Sequence, residues 1–288
     1  MCGIVGLHLR EPSLEPRLGE LLTAMLGQVV ERGPDSAGVA VYGDPRLSPP
    51  GRTVVSLLGV TPAEAEATLP GTVAVAADAT TVVHADGDLL AAVPAALPHA
   101  TVIGSGTDMA VLKGTGNPVE LADAFGLAAV TGWQGVGHTR MATESAVTPE
   151  GAHPFSVGPG QCLVHNGSFA NHATIRRELR AQGVRFDSEN DSEVGARFIA
   201  HQLEQGAGLE KALRLLCERF DGFYTLLVST SDSFAVVRDA IACKPALVAE
   251  TPEWVAMASE YRALDVLPGI ENAHIFEPEP EEVYIWRR

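Results

Sequence analysis

An α+β layered fold is predicted for this 288-residue chain, and three observations predict it. Apolar residues recur at helical spacing in some segments and alternate in others. The two kinds of segment interleave without the strict strand–helix–strand rhythm of a parallel sheet. A hydrophobic content of 46% can fill one large core or two small ones.

The elements follow in order. MCGIVGL opens the chain as a short apolar strand. Leu18, Leu21, Leu22, Met25, Leu26 and Val29 recur at helical spacing, and Gly33 and Pro34 in ERGPDS stop that pattern. SAGVAVYG reads as a strand and DPRLSPPGR as a proline-rich turn region. From about 44 to 130 the sequence changes character: TPAEAEATLP is helical, TVAVAADATTVVHADGDLLAAV alternates, and NPVELADAFGLAAV is a helix capped by Asn117 with Pro118 at its first position. No site is read in that segment. Its glycine-rich GSGTDM and KGTGNP lack the GK[ST] ending of a phosphate loop and read as turns. A strand pair around CLVHNG comes next, then helices in ATIRRELRAQG, SEVGARFIAHQLEQG and LEKALRLLCERF. Strands at GFYTLLVST, SFAVVRD, ALVAE, WVAMAS and VYIW complete the chain, and no internal repeat is evident.

Composition narrows the function classes. Asp and Glu number 36 against 20 Lys and Arg, a formal net charge of −16 without a basic run. This disfavours a nucleic-acid or anionic-membrane surface and leaves small molecules or proteins as partners. No apolar stretch approaches the roughly 20 residues a bilayer needs, and a basic leader is lacking, so a soluble cytoplasmic protein is expected. Cys2, Cys162, Cys217 and Cys243 form no CxxC pair, so neither a disulfide framework nor a zinc knuckle is indicated. Cys162 and Cys217 read as core, Lys244 and Pro245 as a turn, and His138, His153 and His165 as structural residues, not metal ligands.

Four segments carry candidate chemistry. Cys2 becomes the first residue if Met1 is removed, which puts a nucleophilic sulfur and a free α-amine on one residue. An α-amine titrates at roughly 7.7–8.0, so it can act as the general base that frees the thiolate. The alternative is a small buried hydrophobe in a strand. Asn166 and Gly167 in VHNGSFANH offer a side-chain amide and a backbone N–H for a developing oxyanion, though HNG is also a common hairpin turn. Arg140 in GHTRMATES can clamp a carboxylate bidentately as the loop from Thr143 to Gly151 closes, or can form a surface ion pair. Asp191 in SENDSEV can bind an ammonium, though Ser188 and Asp191 also match a helix capping box. An arginine for a carboxylate, an aspartate for an ammonium and a thiolate with an oxyanion hole together describe hydrolysis of an amino acid's side-chain amide: glutamine or asparagine.

Those segments together resemble the class II glutamine amidotransferases, N-terminal-nucleophile enzymes that release ammonia from glutamine. The matching stretches are MCGIVG at the start, RGPDSAGV at 32–39, GHTRMAT at 137–143, HPF at 153–155, HNGS at 165–168 and NDSEV at 190–194. DGFYTLLV, RDAIACKP and MASE resemble that fold's later strands, so the resemblance covers nearly the whole chain. It implies one amidotransferase domain over 1–288, with 44–130 as an elaboration, folded as a four-layer αββα sandwich. It also implies Cys2 as nucleophile, Asn166 and Gly167 as oxyanion hole, and Arg140 and Asp191 as anchors for the α-carboxylate and α-ammonium of L-glutamine. Thr143 would line the same pocket, and Arg32 and Asp35 would at most support it from behind.

RMATES, NDSEV, IACKPALVAETPE and the closing EPEPEEVYIW look most like stand-alone glutaminase subunits of glutamate-synthase-like complexes, including the N-methylglutamate synthase type. The resemblance then implies no cofactor in this chain and no metal site. FMN and iron–sulfur centres are expected on a separate synthase subunit that receives the ammonia. Two other readings stay open: an N-terminal-cysteine acylase of different amide specificity, and a non-catalytic glutamine-sensing module, which a retained Met1 would favour.

Overall fold

A computed structural model describes residues 2–141 and 146–288. Strand β1 (Gly3–Leu9) is buried along its whole length, as expected of a strand covered on both faces. Helix α1 (Leu18–Gly27) follows and buries Leu18, Leu21, Leu22, Met25 and Leu26, the apolar face read from their spacing. A short 3-10 turn, Val30–Arg32, ends at Gly33 and feeds β2 (Ser36–Tyr42).

The segment that changes character supplies β3 (Thr53–Leu58), α2 (Pro62–Thr68), β4 (Val73–Ala77), β5 (Thr80–Ala85), α3 (Leu89–Ala96) and β6 (Thr101–Gly106). Only Thr107 and Asp108 turn β6 into β7 (Met109–Thr115), so the GSG of GSGTDM and the KGT of KGTGNP, expected as turns, are strand ends; Gly116 and Asn117 lead to α4 (Pro118–Ala124), where the Asn117 side chain accepts from Val119 N at 2.9 Å. The second half contains β8 (Gln134–Arg140), β9 (Phe155–Gly158), β10 (Gln161–Phe169), α5 (His172–Ala181), α6 (Asp191–Glu204) and α7 (Leu209–Arg219). After these come β11 (Gly222–Ser229), β12 (Ser233–Arg238), β13 (Leu247–Glu250), β14 (Trp254–Ala258), α8 (Tyr261–Leu264), β15 (His274–Phe276) and β16 (Tyr284–Arg287).

Three antiparallel sheets result. A seven-stranded sheet runs β15-β13-β14-β1-β8-β2-β7, a five-stranded sheet runs β16-β12-β11-β10-β9, and a four-stranded sheet runs β4-β5-β3-β6. The two larger sheets face each other across a core that includes Ile4, Tyr42, Val164, Leu227, Phe234 and Met257. The outer face of the seven-stranded sheet packs on α1, α4 and α8 through Val5, Leu22, Leu26, Leu121 and Leu264. The outer face of the five-stranded sheet packs on α5, α6 and α7 through Leu163, Leu226, Ile175, Phe198 and Leu213. Helix, sheet, sheet, helix is the expected α+β four-layer sandwich. The four-stranded sheet buries Val55, Leu57, Val83 and Leu89 in a core of its own, while β7 returns to pair with β2 in the main sheet.

Candidate active site

The site begins where β1 begins. β1 pairs with β8 from Gly3↔Thr139 onward, so Cys2 stands at the strand end beside Arg140, the last residue of β8. Residue 3 is glycine for a packing reason: a Cβ there would lie 2.8 Å from both Thr139 Oγ1 and Val29 Cβ. Three contacts fix this end of the strand. Ser259 Oγ accepts from Ile4 N at 2.9 Å, Arg32 Nε donates to the Cys2 carbonyl at 3.0 Å, and Asn166 Nδ2 donates to the same oxygen at 3.1 Å.

RGPDS acquires its role through Gly33. A Cβ on Gly33 would lie 2.4 Å from the Thr139 carbonyl carbon, so only glycine lets this turn lie against β8. That approach carries the Arg32 guanidinium to Cys2, where Nη1 also pairs with Glu260 Oε1 at 2.9 Å. Arg32 therefore touches Cys2 directly, more closely than the supporting position expected for it. Asp35 sits at the same turn, its backbone N donating to the Arg140 carbonyl at 3.1 Å.

Arg140 is only 6% exposed, and its Nη1 donates to the Ala146 carbonyl at 3.2 Å. It is thus a buried cation at the strand end, where the alternative reading put it on the surface. Thr143, expected in the same pocket, lies outside the described residues.

The opposite sheet supplies the remaining groups. Asn166 and Gly167 lie inside β10, paired with Thr225 and Tyr224 of β11, so HNG is not a hairpin turn. Gly167 has φ +146°, and a Cβ there would lie 2.0 Å from the Phe223 carbonyl oxygen, which excludes every other residue type. The direction of its N–H follows from strand alternation. Two residues earlier the His165 carbonyl accepts from His138 Nε2 at 3.0 Å, and two residues later Phe169 N donates to Asp191 Oδ2 at 2.9 Å, both away from β11. Gly167, between them, lies on the side of β10 away from β11, beyond Leu163, the last residue paired with β9.

Asp191 is the first residue of α6, where the positive end of the helix dipole favours a carboxylate. The helix cap is Asn190, whose Oδ1 accepts from Ser192 N at 2.9 Å, while Ser188 Oγ accepts from Asn190 N at 3.2 Å. The Ser188–Asp191 capping box is therefore corrected. With the cap supplied one residue earlier, the Asp191 carboxylate turns to β10 and leaves the first turn of its own helix uncapped by it.

Three buried histidines lie beneath. The His138 and His153 rings lie tilted by 31° with centroids 4.0 Å apart, and His165 Nδ1 meets Ser192 Oγ at 2.7 Å. Burial pushes His138 down to about 3 and His165 to about 4, and takes His153 well below the usual imidazole range. All three are neutral at working pH, so His138 must carry its proton on Nε2 to donate to the His165 carbonyl. Among the described residues no three His, Cys, Asp or Glu side chains are grouped to hold a metal ion. No helix among them is long and apolar enough to cross a membrane.

Cys2 thus adjoins Asn166 through a hydrogen bond and Arg140 through strand register, while Asp191 holds the backbone N of Phe169, two residues beyond Gly167. Ser259 and Glu260 belong to the same constellation, and local sequence reading missed their role. MASE signalled a late strand, but nothing in four residues reveals a partner 255 positions away.

Chemically, the arrangement presents a thiol, two donors facing one edge, a cation and an anion. The chain matches the family model described as a glutamine amidotransferase domain over residues 138–266. It is 46% identical to the glutamine amidotransferase-like protein GlxB of Rhizobium meliloti (strain 1021), across 99% of this chain and 98% of that protein. It is 29% identical to a putative glutamine amidotransferase of Methanothermobacter thermautotrophicus, across 99% of both. Among solved structures, glutamine phosphoribosylpyrophosphate amidotransferase from B. subtilis, complexed with ADP and GMP, superposes over 99% of this chain with a TM-score of 0.64 at 21% identity. This chain spans 47% of that structure's length, and the likeness is one of fold.

Proposed function

Because the chain belongs to the class II glutamine amidotransferases, a family of glutamine-hydrolysing enzymes, we propose that it releases ammonia from L-glutamine through Cys2, with the residues around Cys2 dividing the work. Removal of Met1 exposes the Cys2 amine, which takes the thiol proton. The thiolate adds to the γ-carboxamide carbon, and the negative charge that develops on oxygen is met by Asn166 Nδ2 and Gly167 N. An Asn amide has two N–H bonds. One is engaged by the Cys2 carbonyl, which holds the group rigid and leaves the other for the oxyanion.

Collapse of the adduct breaks the C–N bond, and ammonia leaves with the proton from the α-ammonium. A water then attacks the γ-glutamyl thioester, gives its proton to the amine and releases glutamate with the thiol restored. Arg140 clamps the substrate α-carboxylate, Asp191 its α-ammonium, and Thr143 lines the pocket between them. The observation that supports this reading is the Asn166–Cys2 hydrogen bond, which holds a side-chain amide beside the proposed nucleophile.

The domain is taken as 1–288 with 44–130 as an elaboration, working in the cytoplasm. A reducing compartment suits four cysteines that are all free of disulfides. The ammonia passes to a separate synthase subunit of the glutamate-synthase-like or N-methylglutamate-synthase-like type, which carries the FMN and iron–sulfur centres. The support for that partner is the wording of RMATES, NDSEV and IACKPALVAETPE.

The test is ammonia release by the purified protein on glutamine, asparagine and acyl amides, with intact mass to establish the first residue. Cys2→Ala is expected to bind glutamine while losing turnover by roughly 10³-fold or more. Undiminished turnover in that variant, or a preference for acyl amides, overturns the proposal. Co-purification of a flavin-containing companion from the native source tests the partner.

A further inference from the structure

Away from Cys2, the edge strands β15 and β16 of the two large sheets face each other across a groove of about 560 Å³. Aromatic rings line it. His274 stacks on Phe276 with centroids 5.1 Å apart, Phe276 meets Tyr284 at 5.4 Å, and Tyr284 stacks with Trp286 at 6.2 Å. Phe276 and Trp286 are half-buried and also pack on the core between the sheets, so that core reaches the surface here. Successive side chains of a strand point to opposite faces. Since Tyr284, Ile285 and Trp286 all line the groove, it runs along the outer edge of β16, whose backbone ladder pairs on one side only, with β12.

The rim is acidic. Glu250, Glu277 and Glu279 belong to the lining, which contains no Lys or Arg. Two of these carboxylates have a cation behind them: Arg10 pairs with Glu250 at 2.7 Å, and the buried Arg238 lies 3.5 Å from Glu277, whose own side chain is 70% exposed. The segment EPEPEE at 277–282 adds Glu281 and Glu282, and all four of its carboxylates are exposed with no Lys or Arg among them. Glu279 N donates to the Tyr284 hydroxyl at 3.2 Å, which sets the acidic segment against the aromatic rings.

We propose that this groove takes an extended segment of another protein, with Lys or Arg at alternate positions, added as a strand along β16. The open edge supplies backbone donors and acceptors, and the rings of Tyr284 and Trp286 beside Glu277 and Glu279 suit cationic side chains on one face of the added strand. At about 3.3 Å per residue the four residues of β16 span roughly 13 Å, enough to register a segment of about four residues. A second copy of this chain is the poorer occupant, because it brings a further net charge of −16 and the same acidic segment against the first. Cys2, Arg140, Asn166 and Asp191 take no part in the lining, so the surface does not depend on the chemistry proposed at Cys2.

The probe is a blocked peptide, acetyl-Arg-Val-Arg-Val-Arg-amide, titrated calorimetrically into the full chain, with the Glu-for-Arg peptide as reference. Saturable binding of the Arg peptide is expected, weakening about tenfold as salt rises from about 0.05 to about 0.5 M, with no binding of the Glu peptide. Glu277→Gln combined with Glu279→Gln, both at exposed positions, is expected to weaken binding at least about fivefold and to leave glutamine turnover unchanged. Methylating alternate backbone nitrogens of the peptide, which removes the donors a strand needs, is expected to abolish it. Absence of saturable binding, equal binding of the Glu peptide, undiminished binding by the double variant or full binding of the methylated peptide overturns the proposal. A dimer in sedimentation that excess Arg peptide dissociates would put a second copy in the groove and overturn it as well.

Discussion

Asn166 Nδ2 lies 3.1 Å from the Cys2 carbonyl oxygen and joins the two large sheets across 164 positions of sequence. One hydrogen bond thereby sets the relative position of the proposed nucleophile and its oxyanion donor. Asn166→Ala removes both the tether and the donor. A fall in kcat of roughly 10²- to 10³-fold is expected, with glutamine still bound. Steady-state ammonia release checks this, and a variant within about twofold of wild type would count against the hole.

Arg140→Lys keeps the charge but loses the planar fork that grips a carboxylate with two parallel bonds. The KM for glutamine is expected to rise about tenfold with a smaller change in kcat. An unchanged KM speaks against the clamp.

Arg32→Met leaves the Cys2 carbonyl with Asn166 alone and separates Glu260 from its 2.9 Å partner. Since Arg32 positions Cys2 without a proposed contact to substrate, kcat is expected to drop roughly 10- to 100-fold while KM moves little. A change confined to KM would place Arg32 in the substrate pocket instead.

The buried histidines give stability a pH dependence whose sign is fixed. Above the ordinary imidazole value of 6.5 they are neutral in both folded and unfolded chains, and their stabilisation is fully present. As pH falls below it, the unfolded chain takes up protons that the folded chain refuses. Each such group then lowers stability by about 1.4 kcal/mol per pH unit. The loss continues to about 4 for His165 and about 3 for His138, and His153 follows the same direction. Urea unfolding between pH 7.5 and 5.5 should show a falling midpoint. A flat profile there would mean that the cluster accepts protons while folded.

Most elements were legible because each depends on its own residues. The spacing of Leu18, Leu22, Met25 and Leu26 specifies a buried helix face, and Asn117–Pro118 specifies a helix start whatever lies around them. The motif residues Cys2, Arg140, Asn166 and Asp191 were legible as chemistry. Their meeting was not, because it depends on β1 pairing with β8 and on β10 facing β1 from the other sheet. HNG shows the limit: Asn and Gly tolerate turns, and only the Phe223 carbonyl, 2.0 Å from where a Cβ would be, explains why glycine sits within a strand. Arg32 shows another, since its importance arises from the backbone of Thr139 lying beneath Gly33.

β1 holds the middle place in the seven-stranded sheet, between β14 and β8. A strand of low residue number is therefore completed by one of high number, and Ile4 pairs with Ser259, 255 positions away. A fragment that stops short of Ser259 would therefore carry the Cys2 sulfur without the contact that fixes the start of β1.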